Sequence, residues 1–494
     1  MSLPIAAWSV AQLRRFEAHA IGSQGIPGYT LMERAAAAAL RVLRARWPQA
    51  QRLIVVTGGG NNGGDGFVLA RLARADGLDT RVMTLVPVTE LRNEARQACD
   101  DFMAAGARPE PFDAALLCEA DLLVDAMLGI GLRATLREPH GAAIRAMNAV
   151  ARPVLALDLP SGLDADRGTV SEVAVQADAT VTFIALKSGL LLGEGPALCG
   201  VLGCEDLQVT LPMDLEPPVL TRLVDADIAV ALPARRSDSH KGSYGRVLLI
   251  GGGPGMSGAI QLSGMACLRV GAGLVSIATR PEHTVAIAAA QPELMCHGVS
   301  GPSQLEALLE QSEVVAIGPG LGRDTWARQL LEAALGCGKP LLLDADALNL
   351  LAESPRELPS GTLLTPHPGE AARLLRTDTS AVQRDRLSAL ESLVSATGAV
   401  VALKGAGTLV AAPGRVPAIC LRGNPGMATA GMGDVLTGAA AGILAQCRDP
   451  WLALRAAVLA HAQAGDECAA QLGSRGLLAS DVAAALPRCI NRCA

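Results

Sequence analysis

The sequence predicts an α/β protein of two domains, each a mostly parallel sheet covered by helices in three αβα layers. Three observations carry that prediction. Continuous aliphatic runs end repeatedly in Gly-rich turns, as expected of strands buried on both faces. Ala/Leu-rich segments such as GFVLARLARADG and PGEAARLLRT lie between those runs, and alternating strand, turn and helix builds βαβ units. Finally, 494 residues exceed what a single core comfortably fills. The stretch LPMDLEPPVLTRL, 211 to 223, breaks the pattern with three prolines and several charges, so domains of 1–215 and 216–494 are expected.

In chain order the strand-like runs are LIVVTGGG at 53, LLVDAMLG at 122 and PVLALDLPSG at 153. VLLIGGG at 247, VVAIGPGLG at 314, PLLLDADALN at 340 and VVALKGAG at 400 follow. A net charge of −6, with no long Lys/Arg run, excludes nucleic acid as an expected partner. Lysine occurs only at 187, 241, 339 and 404. Twelve cysteines without a CxxC pair fit reduced, mostly buried thiols of a cytoplasmic protein. The start, MSLPIAAWSVAQLRRFEAH, lacks the basic and apolar segments of a signal peptide. The uncharged stretch from 247 to 268 is too rich in Gly and Pro for a membrane span and reads as strand, loop and helix. No membrane partner is expected.

In the N-terminal half, GGGNNGGDGFVLARL follows a strand and opens a helix, with G-x-G-x-x-G at Gly58, Gly60 and Gly63. Such a turn lets an anion approach the backbone at a helix N-terminus, so the domain is expected to be Rossmann-like. No acidic residue ends the second strand, so a redox dinucleotide site is not established. Asn61, Asn62 and Asp65 add oxygen ligands to the loop. Asp125, Asp158 and Ser161 fall at the carboxyl ends of strands, where open α/β sheets bind ligands. Asn62, Asp125 and Ser161 offer hard oxygen donors to a cation, monovalent or Mg²⁺; singly, each also fits a turn or cap.

In order, LMERAAAA, GGGNNGGDG, VDAMLGIGL, LDLPSGLDAD and TFIALKSGL resemble the NAD(P)H-hydrate epimerase family over residues 8 to 212. The resemblance implies that Asn61, Asn62, Gly63, Gly64 and Asp65 contact the hydrated nucleotide. It adds Gly129, Ile130, Gly131, Leu132, Arg133, Ala134 and Thr135 as a phosphate loop, and K⁺ held by Asn62, Asp125 and Ser161. Asp158 is then the acid/base against the damaged ring, with Lys187. In that loop the family reads close to GTGLxG, whereas this chain has GIGLRATLREPHG, with Ile130 and Ala134 replacing a hydroxyl and a glycine.

In the C-terminal half, NPGMATAGMGDVLTG contains Asp434 as its only charge. Successive glycines at a helix start make an anion hole. Asp434 there reads either as a helix N-cap or as a base facing a phosphate, which is the positioning that phosphoryl transfer requires. Lys404 and Thr408 suit nucleotide phosphates. His367 suits a second phosphate-bearing substrate, although a histidine taken singly is more often a helix cap or a core residue. The KGAGT sequence alone also fits a tight turn.

Together SHKGSYG, GGGPGMSGA, GPGLG, TPHPGE, LKGAGT and NPGMATAGMGDVLTG resemble the ADP-dependent NAD(P)H-hydrate dehydratase branch of the ribokinase-like superfamily, over residues 225 to 490. By that resemblance the C-terminal domain is ribokinase-like, and Asp434 takes the proton of the ring hydroxyl as it attacks ADP, aided by Mg²⁺. The nucleotide lies along Lys404, Gly405, Ala406, Gly407 and Thr408, and along Asn424, Pro425, Gly426, Met427, Ala428, Thr429, Ala430, Gly431, Met432 and Gly433. Ala259, Gly320, His367 and Asp434 line the hydrate site. Hydrated NADH and NADPH are the implied substrates, and a homo-oligomer is expected. The rival expectation is a ribokinase-like small-molecule kinase with a nucleotide-binding accessory domain.

Overall fold

The computed structural model describes residues 3–131, 136, 138–212 and 216–493. They form two compact units, Met1–Leu220 and Thr221–Ala494.

The first unit holds a seven-stranded, wholly parallel sheet. Its order is Glu110–Pro111, Asp79–Thr84, Arg52–Thr57, Leu122–Ala126, Val154–Leu157, Ala179–Phe183, Val201–Glu205. The aliphatic runs are explained by burial on both faces. Val55, Val124 and Leu155 join one apolar cluster with the helices Gly28–Arg46 and Asn61–Ala75. Their neighbours Ile54, Val56, Leu123 and Ala156 join another with the helix His140–Ala149, as side chains alternating across a sheet must. Strand order reverses between Arg52–Thr57 and Leu122–Ala126, and the turn at 58 and the loop after 126 both open at that switch point.

In the second unit the order runs Ala418–Cys420, Thr408–Ala411, Val400–Leu403, Leu363–Leu364, Leu341–Leu343, Val314–Ile317, Arg246–Ile250, Leu274–Thr279, Met295–Gly298. The sheet is parallel except where Thr408–Ala411 pairs antiparallel with both its neighbours. Four residues, KGAG, join Val400–Leu403 to Thr408–Ala411, and so short a link permits only a hairpin. The switch point lies between Arg246–Ile250 and Val314–Ile317, with GGGPG and GPGLG at its mouth. The uncharged stretch becomes the strand Arg246–Ile250 and the helix Ser257–Arg269. Among the described residues no helix is long and apolar enough to cross a membrane, and the described cysteines are free, most of them wholly or partly buried.

Candidate functional sites

At the switch point of the first unit lies a cleft of about 430 Å³. Its lining includes Asn61, Asn62, Asp65, Gly129, Ile130, Gly131, Asp158 and Lys187. The helix Asn61–Ala75 starts at Gly60 with no side-chain cap, leaving backbone N–H groups for an anion. Gly63 and Gly64 sit behind this surface. A Cβ on Gly63 would stand 2.1 Å from the Gly58 carbonyl oxygen, and Gly64 N–H donates to Gly60 O at 3.1 Å. Leu132, Arg133, Ala134 and Thr135 lie outside the described residues.

Asp158 ends its strand with φ +66°, a turn that aims its carboxylate into the cleft. Its Oδ1 accepts a short hydrogen bond from Lys187 Nζ and longer ones from Thr182 Oγ1 and the Phe183 N–H, both 3.3 Å. Lys187 is buried and also donates to Phe183 O at 2.8 Å. The chain's beginning holds this segment down: Trp8 N–H donates to Leu186 O at 2.8 Å, and Ser188 N–H to Trp8 O at 3.1 Å. The helix Val10–Gly22 thereby brings Arg14 and Glu17 to the cleft wall. Burial, then the charge of Asp158, raises the carboxyl of Glu17. The same two causes, with Glu17 added, hold the carboxyl of Asp65 well above its ordinary range.

Beneath the cleft, Asp125 is fully buried. Its Oδ1 accepts from Ser161 Oγ at 2.6 Å, and its Oδ2 from Ser161 N–H at 2.7 Å. Burial pushes this carboxyl up to about 6, against the pull of those hydrogen bonds. The amide of Asn62 is buried with neither its oxygen nor its nitrogen hydrogen-bonded. Because an unsatisfied buried amide is costly, this is the observation that fits a bound cation.

In the second unit Asp434 is the third residue of the helix Met432–Cys447. The cap position belongs to Gly431, at φ +87°, and no side chain caps the helix. Asp434 is therefore no N-cap. Burial, then the charge of Asp344, pushes its carboxyl up to about 7, against the opposing pull of Lys404. A Cβ on Gly433 would stand 3.3 Å from Lys404 Nζ, so the KGAGT turn meets the helix start. Lys404 Nζ donates to Asp344 Oδ1 at 2.8 Å and lies 3.8 Å from Glu370 Oε2. Burial works against its charge, but Asp344 and Glu370 outweigh that and raise its pKa.

His367 caps the helix Pro368–Leu375: its Nδ1 accepts from Gly369 N–H at 3.0 Å, while Glu370 Oε2 accepts from His367 N–H at 2.8 Å. Its Nε2, on the half-exposed edge of the ring, lies 3.4 Å from Glu370 Oε1. Burial, then Lys404 and Arg373, lowers its pKa. Burial lifts Glu370 to about 7.

Ala259 and Gly320 meet, since a Cβ on Gly320 would stand 3.2 Å from that of Ala259. One turn on, Ser263 Oγ donates to Ala259 O at 3.3 Å and to Asp434 O at 2.8 Å. The Pro425–Met427 turn is anchored elsewhere, through Asn424 Nδ2 donating to Asp466 Oδ1 at 3.1 Å. Ala428, Thr429 and Ala430 are exposed.

Against known families, residues 247–488 match the model described as NAD(P)H-hydrate dehydratase, and residues 28–189 that of the YjeF-related protein N-terminus. The bifunctional NAD(P)H-hydrate repair enzyme of Coxiella burnetii is 46% identical over 472 residues, 95% of this chain and 96% of that one. This chain belongs to the bifunctional NAD(P)H-hydrate repair enzyme family. The Escherichia coli member is 41% identical over 99% of this chain and 95% of its own. A ribokinase-like protein from Enterococcus faecalis superposes with TM-score 0.53 at 32% identity, covering 57% of this chain and 98% of its own. The ADP/ATP-dependent NAD(P)H-hydrate dehydratase of Bacillus subtilis, co-crystallised with ATP/Mg²⁺, gives 0.51 at 29%, covering 55% and 98%.

Within this repair-enzyme chain, sequence reasoning missed several residues of both sites. Arg386, buried, donates to the carbonyls of Ala406, Leu403 and Lys404 and so pins the KGAGT turn; burial pulls its pKa down to about 10. In RDRLSAL it looks like a surface helix residue, and nothing local distinguishes it. Glu17 was equally hidden, because only the fold brings the first helix to the cleft. Asp344 had a signal, a carboxylate directly after the strand run PLLLDADALN.

Proposed function

We propose that the first unit interconverts the R and S forms of hydrated NADH and NADPH, and that the second dehydrates the S form with ADP, releasing AMP and phosphate. The observation that carries the reading is Asp434: a carboxyl at about 7, on the first turn of an uncapped Gly-rich helix, beside Lys404. A base titrating near neutrality is matched to proton abstraction from a hydroxyl, and the helix start is suited to hold phosphate.

In the dehydratase reaction Asp434 accepts the proton of the C6 hydroxyl while that oxygen attacks the β-phosphorus of ADP. The bond from that phosphorus to AMP breaks. The phosphate ester then leaves C6 as a proton leaves C5, restoring the dihydropyridine. Lys404 and the backbone of residues 431–433 stabilise the charge that builds on the phosphoryl oxygens. Among the described residues no group of three or more His, Cys, Asp or Glu side chains is placed to hold a metal. Mg²⁺ bound with the nucleotide would supply neutralisation of the phosphate charge.

In the epimerase cleft Asp158 gives a proton to the C6 hydroxyl as the ring nitrogen expels it as water, then takes the proton back as water adds to the opposite face and inverts C6. Lys187 orients its carboxylate. The uncapped start of Asn61–Ala75 receives phosphate. The donor set of Asn62 Oδ1, the Asp125 carboxylate and Ser161 Oγ fits K⁺, which would satisfy the orphaned amide oxygen. The same reading takes the chain as a cytoplasmic homo-oligomer; its mild negative charge supports the lack of a nucleic-acid partner.

The test is incubation of the purified protein with S-hydrated NADH and ADP. Return of the dihydropyridine absorbance with equimolar AMP and phosphate is expected. A stable phosphorylated product without that return would replace this reading with that of a kinase.

A further inference from the structure

We infer that Asp344 is a positioning residue of the dehydratase site, clamping Lys404 of the LKGAGT turn to the helix that carries Asp434. This rests on the function proposed above and extends it to a residue that function does not use.

Asp344 directly follows the strand Leu341–Leu343 and is 1% exposed. Each carboxylate oxygen binds a different segment. Oδ1 accepts from Lys404 Nζ at 2.8 Å, and Oδ2 accepts from Thr437 Oγ1 at 2.8 Å. Thr437 stands three residues after Asp434 on the same helix, a spacing that puts both on one face. The backbone of Asp344 is fixed as well: its N–H donates to Ile317 O at 3.1 Å. A Cβ on Gly318, which has φ +135°, would stand 1.8 Å from Asp344 O. LKGAGT and GMGDVLTG therefore converge on this side chain, while the strand end that opens GPGLG holds its backbone.

A buried carboxylate persists only when it is paired and hydrogen-bonded, and Lys404 and Thr437 supply both. The consequence for the reaction concerns Lys404. Its other carboxylate neighbours are Glu370, 3.8 Å away, and Asp434, whose charge it feels across Gly433. The remaining titratable or charged neighbours that act on this cluster are His367, Arg373 and His461. Held by Asp344, the ammonium stays beside the anion hole and off the base. Released, it would turn to Asp434, hold that carboxylate ionised and weaken it as a base.

The test is kcat and the pH dependence of kcat/KM for dehydration in Asp344→Asn, Thr437→Val and Thr437→Ser, with the thermal melting of the same chain, followed by circular dichroism, as the folding control. Asp344→Asn should lower kcat about 10- to 100-fold and move the acid limb to lower pH. Thr437→Val, nearly isosteric, should do the same to a smaller extent, and Thr437→Ser, which keeps the hydroxyl, should restore the wild-type profile. Should Asp344→Asn fail to accumulate, the Thr437 pair decides alone. Wild-type kcat and profile in the Asn and Val variants would overturn the clamp, as would equal impairment by Val and Ser, which would make the methyl rather than the hydroxyl important. An inactive wild type would instead overturn the functional reading itself.

Discussion

Asp158 and Asp344 occupy corresponding places in the two units. Each directly follows a parallel strand near the centre of its sheet, and each accepts a hydrogen bond from one of the chain's four lysines. Their surroundings differ. Asp158 lines an open cleft with its lysine beside it, whereas both oxygens of Asp344 are committed, to Lys404 and Thr437. In the second unit the carboxylate left for chemistry is the neighbour, Asp434, which caps nothing and titrates at about 7. On the reading proposed above, the same strand-end Asp–Lys pair is reacting group in one unit and scaffold in the other. What separates the roles is whether an oxygen remains that substrate can reach.

The sharpest way to break this comparison is Asp434→Asn, which keeps shape and removes the base. Dehydration should fall about 10²- to 10⁴-fold, while ADP binding by calorimetry and epimerisation stay near wild type. Retained turnover would return Asp434 to a structural role. Asp158→Ala should next stop epimer interconversion while sparing dehydration of the S form, followed by chiral separation of the two hydrates. Equal loss of both activities would dissolve the division into two sites.

The pH dependence gives a smaller, graded effect. Asp434 must be ionised to accept a proton, and its pKa is raised to about 7, chiefly by burial. Dehydratase kcat/KM should therefore drop about tenfold for each pH unit below that value and level off above it. A flat profile through neutrality would put Asp434 among the paired carboxylates. The smallest effect concerns the floor of the epimerase cleft. K⁺ at a hundred times its Kd should stabilise the first unit by about 2.7 kcal/mol, read as a rise in melting temperature over a Li⁺ buffer. Asn62→Ala should abolish that rise.

How much of this was legible in sequence depended on the range of the signal. The strands at 52, 122, 154, 246, 314, 341 and 400 were readable because burial on both faces leaves unbroken aliphatic runs. The antiparallel pair around KGAGT was only half visible: the tight turn could be read, but the reversal of strand direction follows from its length. Asp434 was noticed as a lone charge, yet its competing reading as a cap fell only when Gly431 proved to hold that position. For His367 the opposite occurred, since the cap is what the geometry displays. Glu17, Arg386 and Thr437 carry no local mark. Each matters through a partner 17 or more residues away in sequence or through burial that only the assembled fold creates.

The central claim is that two separate carboxylate sites in one chain act in sequence on hydrated nicotinamide nucleotide. It is tested most directly by a single absorbance trace on a mixture of R- and S-hydrated NADH with excess ADP. Complete return of the dihydropyridine absorbance is predicted for the wild type, arrest once the S form is spent for Asp158→Ala, and a return slowed at least about a hundredfold for Asp434→Asn. Complete return in Asp158→Ala at the wild-type rate, or arrest part-way in the wild type, would contradict it.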